Sequence, residues 1–119
     1  MRFISVLTFD RSGPHPHEQP ETVERMRPLV QSMHADGTLV DTGGRDSEMM
    51  EFRVTRKDGR NAVTDGPFAE SKEVVGGYAV LEVKDRAHAV AVTNRFLETL
   101  GANATCDLYE VFPPPELSS

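Results

Sequence analysis

The stretch with the most chemical promise is Asp65-Gly66-Pro67-Phe68, followed closely by Glu70, Lys72 and Glu73. A carboxylate drawn partly out of water has a raised pKa, which suits it to acid–base work, so Asp65 is the first candidate for a proton-transfer group. Lys72 beside carboxylates can orient an anion, and Arg53 offers a planar fork for a carboxylate or an enolate. Arg53, Lys72, Glu70 and Tyr78 are therefore the substrate-binding candidates, and His34 is a second candidate for catalysis. Each has a plainer reading. Asp followed by Gly and Pro makes a tight turn, with Phe68 filling the core behind it. Glu70, Lys72 and Glu73 read equally as a solvated charged turn with weak ion pairs. Glu51 and Arg53 read as the exposed side of an edge strand.

The remaining reactive side chains carry weaker signals. His15 and His17 are two apart in a Pro-rich loop, with no further His or Cys at a ligand spacing, so no metal is expected. His88 falls on an exposed helix position, and Cys106 reads as a buried, inert thiol. No phosphate-binding glycine loop, nucleophile elbow or dinucleotide fingerprint occurs, and no cofactor is expected.

Composition narrows the classes further. The chain has 119 residues, 38% of them hydrophobic and 27% charged, as in an ordinary globular domain. A net charge of −6 argues against binding a nucleic-acid backbone or an anionic membrane. One cysteine permits no intrachain disulfide, which fits a reducing, cytoplasmic compartment. The apolar run 3–9 follows Arg2 but stops at Asp10-Arg11 without a cleavage site, so it reads as a strand and not as a signal peptide.

The elements that must position these residues follow from periodicity and punctuation. Strands are expected over 2–9, 38–42, 49–56, 61–64, 77–83 and 104–112, the third and fourth joined by the hairpin turn Lys57-Asp58-Gly59-Arg60. Residues 10–20 and 65–75 read as loops. A helix is expected over 21–36, with Val23, Met26, Val30 and Met33 on one face and a kink or break at Pro28. A second helix over 86–100 is capped by Asp85 and ended by Gly101, with Val90, Thr93, Leu97 and Leu100 on one face. Setting the hairpin aside as an insertion leaves two split βαβ units. That is a ferredoxin-like α+β fold, an antiparallel sheet with both helices on one face. The domain is expected over 1–112, with a tail over 113–119. In strands 2–9 and 77–83 both faces are largely apolar, apart from Ser5 and Glu82. The helices cover one face, so a second copy is the simplest cover for the other.

The stretch Val63-Thr64-Asp65-Gly66-Pro67-Phe68-Ala69-Glu70-Ser71-Lys72-Glu73, with Gly76-Gly77-Tyr78 behind it, resembles the signature of DGPF-motif proteins of the YCII-related family. The likeness extends to Met1-Arg2-Phe3, the turn at 37–41 and Tyr109-Glu110-Val111-Phe112. The resemblance implies a ferredoxin-like fold paired into a dimeric α+β barrel. The wider group includes a dehydrochlorinase-type enzyme that works through a His–Asp pair without a cofactor, and His34 is the approximate counterpart of its helix histidine. Relatives encoded beside alternative sigma factors point to a regulatory setting. Two readings therefore stand open. One is a cofactor-independent enzyme moving a proton on a small anionic or carbonyl-bearing molecule. The other is a non-catalytic module that binds a metabolite. Asp65, Lys72 and Arg53 pointing into one cavity would favour the first, and a cavity filled by Phe and Met side chains the second.

Overall fold

A computed structural model describes residues 1–13, 15–46, 48–67 and 72–112. In chain order the elements are β1 (Arg2–Asp10), a 3-10 turn (Pro16–Glu18), α1 (Pro20–Ala35), β2 (Leu39–Gly44), β3 (Phe52–Lys57), β4 (Arg60–Asp65), β5 (Glu73–Glu82), α2 (Arg86–Leu100) and β6 (Thr105–Val111). Four strands form one antiparallel sheet in the order β2-β5-β1-β6, the order of a ferredoxin-like α+β fold. Among the described residues β3 and β4 pair with each other alone, as a separate two-stranded sheet. Their turn has positive φ at Asp58 and Gly59, as the Asp-Gly pair predicts.

Both helices lie on one face of the four-stranded sheet, and the alternation along β1 records it. Ser5, Leu7 and Phe9 are buried, whereas Ile4, Val6 and Thr8 between them are only half-buried. Leu7 and Phe9 join Leu39, Leu81 and Val83 from the sheet with Met26, Leu29, Met33, Ala89 and Leu100 from the helices in a single core. Burying each larger side chain of this set contributes about 1.5–3 kcal/mol. The β1–β5 register shifts between Leu7 and Thr8, where Gly76 is the unpaired extra residue. A Cβ at Gly76 would run into the ring of Phe9, so the glycine lets that ring lie flat on the sheet.

Several expected details differ. α1 buries Thr22, Met26, Leu29 and Met33, so its inner face is turned away from Val23, which is exposed. Leu29 wins because residues 22, 26, 29 and 33 form one i, i+4, i+7, i+11 stripe. Pro28 neither breaks nor splits α1, which runs unbroken from Pro20 to Ala35. It sits on the exposed side, where water can satisfy the carbonyl that loses its partner. In α2, Val90 is exposed and the inner face is carried by Ala89 and Leu100, with Val92, Phe96 and Leu97 partly buried. β3 starts at Phe52, so Met49, Met50 and Glu51 precede the strand, and β5 begins earlier than expected, at Glu73.

The helix ends are held by side chains. The Asp85 carboxylate accepts from the His88 backbone N–H at 2.8 Å, and the His88 ring in turn accepts from the Lys84 N–H at 3.1 Å. At the other end Gly101 takes the left-handed conformation, and the Arg25 guanidinium from α1 donates to the carbonyls of Thr99 and Leu100 at 2.6 and 2.8 Å. Those carbonyls have no partner inside the helix, so Arg25 ties the two helices together where the dipole is negative. Among the described residues no helix is long and apolar enough to cross a membrane.

Candidate functional site

A deep, mostly apolar concavity lies between the helices and the sheet and has a volume of about 480 Å³. Met26, Leu29 and Met33 of α1 form one wall, Phe96 and Val92 of α2 another, and Leu7, Ala79 and Leu81 part of the floor. Its polar groups are mostly hydroxyls. Ser5 and Thr22 are among the few buried polar residues, and the Thr42 hydroxyl is already engaged, donating to the Tyr78 carbonyl at 2.8 Å. Cys106 borders the same space. Burial pushes its thiol pKa up, and a hydrogen bond with Ser5 offsets this only in part, so the thiol stays protonated at neutral pH.

The opposite face of the sheet carries a different arrangement. Register places Asp41, Val80, Ile4 and Tyr109 in one cross-strand row and Gly43, Tyr78, Val6 and Asp107 in the next. The Tyr78 hydroxyl donates to one oxygen of Asp41 at 2.9 Å, while the Thr42 N–H donates to the other at 2.9 Å. The tyrosine ring lies over Gly43, where a Cβ would sit only 2.7 Å from a ring carbon. This hydrogen bond to a fixed carboxylate holds the Tyr78 phenol pKa above its ordinary value.

The Asp-Gly-Pro turn belongs to neither place. It docks at the base of the β3–β4 hairpin, where the Gly66 N–H donates to the Glu51 carbonyl at 2.9 Å and a Cβ on Gly66 would lie 2.8 Å from that oxygen. The Glu51 carboxylate is 3.6 Å from Arg45, whose guanidinium also donates to the Val75 carbonyl at 3.1 Å. Arg45 thus connects the hairpin base to β5, and the glycine of the motif is the residue that permits the close approach. Phe68, Ala69, Glu70 and Ser71 lie outside the described residues, as do Pro14, Ser47, the tail 113–119 and the side chain of His17.

The YCII-related domain matches residues 1–112, a span that contains every strand and both helices just described. The chain belongs to the YCII-related family. No curated protein matches it.

Within this YCII-related fold the residues expected to act together are dispersed. Asp65 ends β4 opposite Phe52, and Arg53 pairs with Thr64 one step along, so the two side chains leave opposite faces of the hairpin ribbon. His34 is exposed in the last turn of α1, and Lys72 is exposed just before β5, where its carbonyl accepts from the Arg11 N–H at 2.8 Å. None of these four lines the cavity. Tyr78 does border it, but its hydroxyl is engaged by Asp41. Sequence reading passed over Asp41 and Arg45, and expected a small-molecule pocket without placing its walls. A signal existed for the first: an acidic residue two before Gly43-Gly44 in a short strand, a place where a neighbouring aromatic ring can lie on bare backbone.

Proposed function

We propose that this YCII-related domain is a homodimeric binding module that takes a small molecule into the cavity between helices and sheet. The observation that carries this reading is the cavity lining. It is built largely from Met, Leu, Val and Phe side chains and, among the described residues, contains no carboxylate and no histidine. Proton transfer needs a titratable group within hydrogen-bond reach of the substrate, and among the described residues this lining supplies a protonated thiol and a guanidinium, while the Tyr78 phenol is engaged by Asp41 on the other face of the sheet. The volume is that of a site for a small ligand. Pairing is supported by the open sheet face, where Ile4, Val6 and Val80 form an apolar centre between exposed Tyr78 and Tyr109. Titration with Nile red, an uncharged fluorescent probe, tests the ligand site. One saturable site per chain is expected, weakened at least about tenfold by Ala79→Leu, which fills part of the floor. Linear, non-saturating emission unaffected by that substitution would remove the reading.

A second reading has one specific support, the Tyr78–Asp41 hydrogen bond. If a partner sheet encloses this pair, Asp41 is the base and Tyr78 the group that carries the proton, in place of Asp65 and His34.

A further inference from the structure

The cavity has a charge character that its volume alone does not reveal. Of its lining residues, among those described, only Arg27 carries a formal charge at neutral pH. That guanidinium is more than half exposed and is held by Glu24 at 2.9 Å, one turn earlier on the same outer surface of α1. Inside, Ser5 and Thr22 are more than nine-tenths buried, and Cys106 keeps its proton. A carboxylate or phosphate entering this space would lose its hydration and meet no countercharge within, which strongly disfavours the ionised form. An uncharged hydroxyl or carbonyl needs only one or two hydrogen bonds, and two buried hydroxyl side chains are there to make them, Ser5 through the bonding capacity that remains beside its hydrogen bond with Cys106.

Building on the binding reading above, we infer that the ligand class is an uncharged amphiphile: an apolar body with a single hydroxyl or carbonyl directed at Ser5 and Thr22. This departs from the anionic substrate that Arg53 and Lys72 suggest from sequence. The two basic residues lie outside the cavity and select nothing within it.

The chain contains its own reporters. Met26 and Met33 line the cavity, whereas Met49 and Met50 are exposed beside the hairpin. The experiment is methyl-detected NMR of protein labelled at the methionine methyls, titrated at about pH 8 with 1-nonanol, methyl nonanoate and nonanoate, where the acid is ionised. The inference expects both neutral compounds to shift the Met26 and Met33 signals and leave those of Met49 and Met50 in place. It expects nonanoate to bind at least about tenfold more weakly, because its charge finds no partner. Nonanoate binding at Met26 and Met33 as tightly as nonanol, and weakened by Arg27→Gln, would overturn the neutral class while leaving the cavity as the binding site. Shifts confined to Met49 and Met50, or no shift with any compound, would overturn the binding reading and this inference with it.

Discussion

The two faces of the four-stranded sheet are built from similar residues and meet different fates. On β1, Leu7 and Phe9 are buried to 4% and 2% exposure, while Ile4 and Val6, equally apolar, are only half-buried. Nothing in side-chain type separates them. The connections do: β1 to β2 and β5 to β6 each cross over through a helix, and both helices come down on the same side. The covered face becomes a core with a cavity left in it. The uncovered face keeps an apolar centre flanked by Asp41 and Asp107. Apolarity therefore reports that a face is to be covered, whereas the crossovers decide whether the same chain covers it.

Three measurements break or sharpen this contrast. The largest effect is expected on the covered face. Phe9→Ala removes a nearly fully buried ring and should cost about 3–5 kcal/mol in urea unfolding. Val6→Ala, three residues earlier on the same strand but on the open face, should cost about 1 kcal/mol or less in dilute protein, and equal costs for the two would erase the distinction between the faces. Next in size is association. Light scattering of the parent protein should give about twice the 13.2 kDa chain mass, and Val6→Asp, which places a charge in the apolar centre, should return it to the monomer value. A parent that runs as a monomer at micromolar concentration removes the dimer proposal.

The smallest effect is spectroscopic. The chain has two tyrosines, Tyr78 and Tyr109, and the first is held by a carboxylate. Ultraviolet titration of the phenols should show one group ionising above its ordinary range, and Asp41→Asn should bring it back down. The sign follows from the proton. The folded state binds it more tightly than the unfolded chain, so the stabilising contribution is complete below about pH 10 and is lost as pH rises through the higher folded value. Two tyrosines that titrate together in both proteins would show that Asp41 does not hold the phenol in solution.

Much of the fold was legible in the residues. β1, both helices, the Asp58-Gly59 turn, the Asp85 cap and the Gly101 stop all follow from local spacing and propensity, which act over a few residues and need no partner. Pro28 was misleading as a break because its effect depends on exposure: on the solvent side of α1 the orphaned carbonyl is open to water. The site was much less legible. Asp65 stands in the most distinctive motif, yet among the described residues that motif's visible work is to seat Gly66 against Glu51.

What the sequence by itself determined was the set of elements, their order and the apolar surplus of the sheet, together with membership of the YCII-related family. Only the tertiary structure decided which charged residues meet. Asp65 and Arg53 are close along the hairpin but leave opposite faces of it, because alternate strand residues point apart. Asp41 and Tyr78 lie far apart in the chain and touch, because antiparallel pairing of β2 with β5 fixes their register. The cavity also belongs to this level. It is enclosed by residues from both helices and four strands, and its character is set by which side chains those elements turn inward once they are packed.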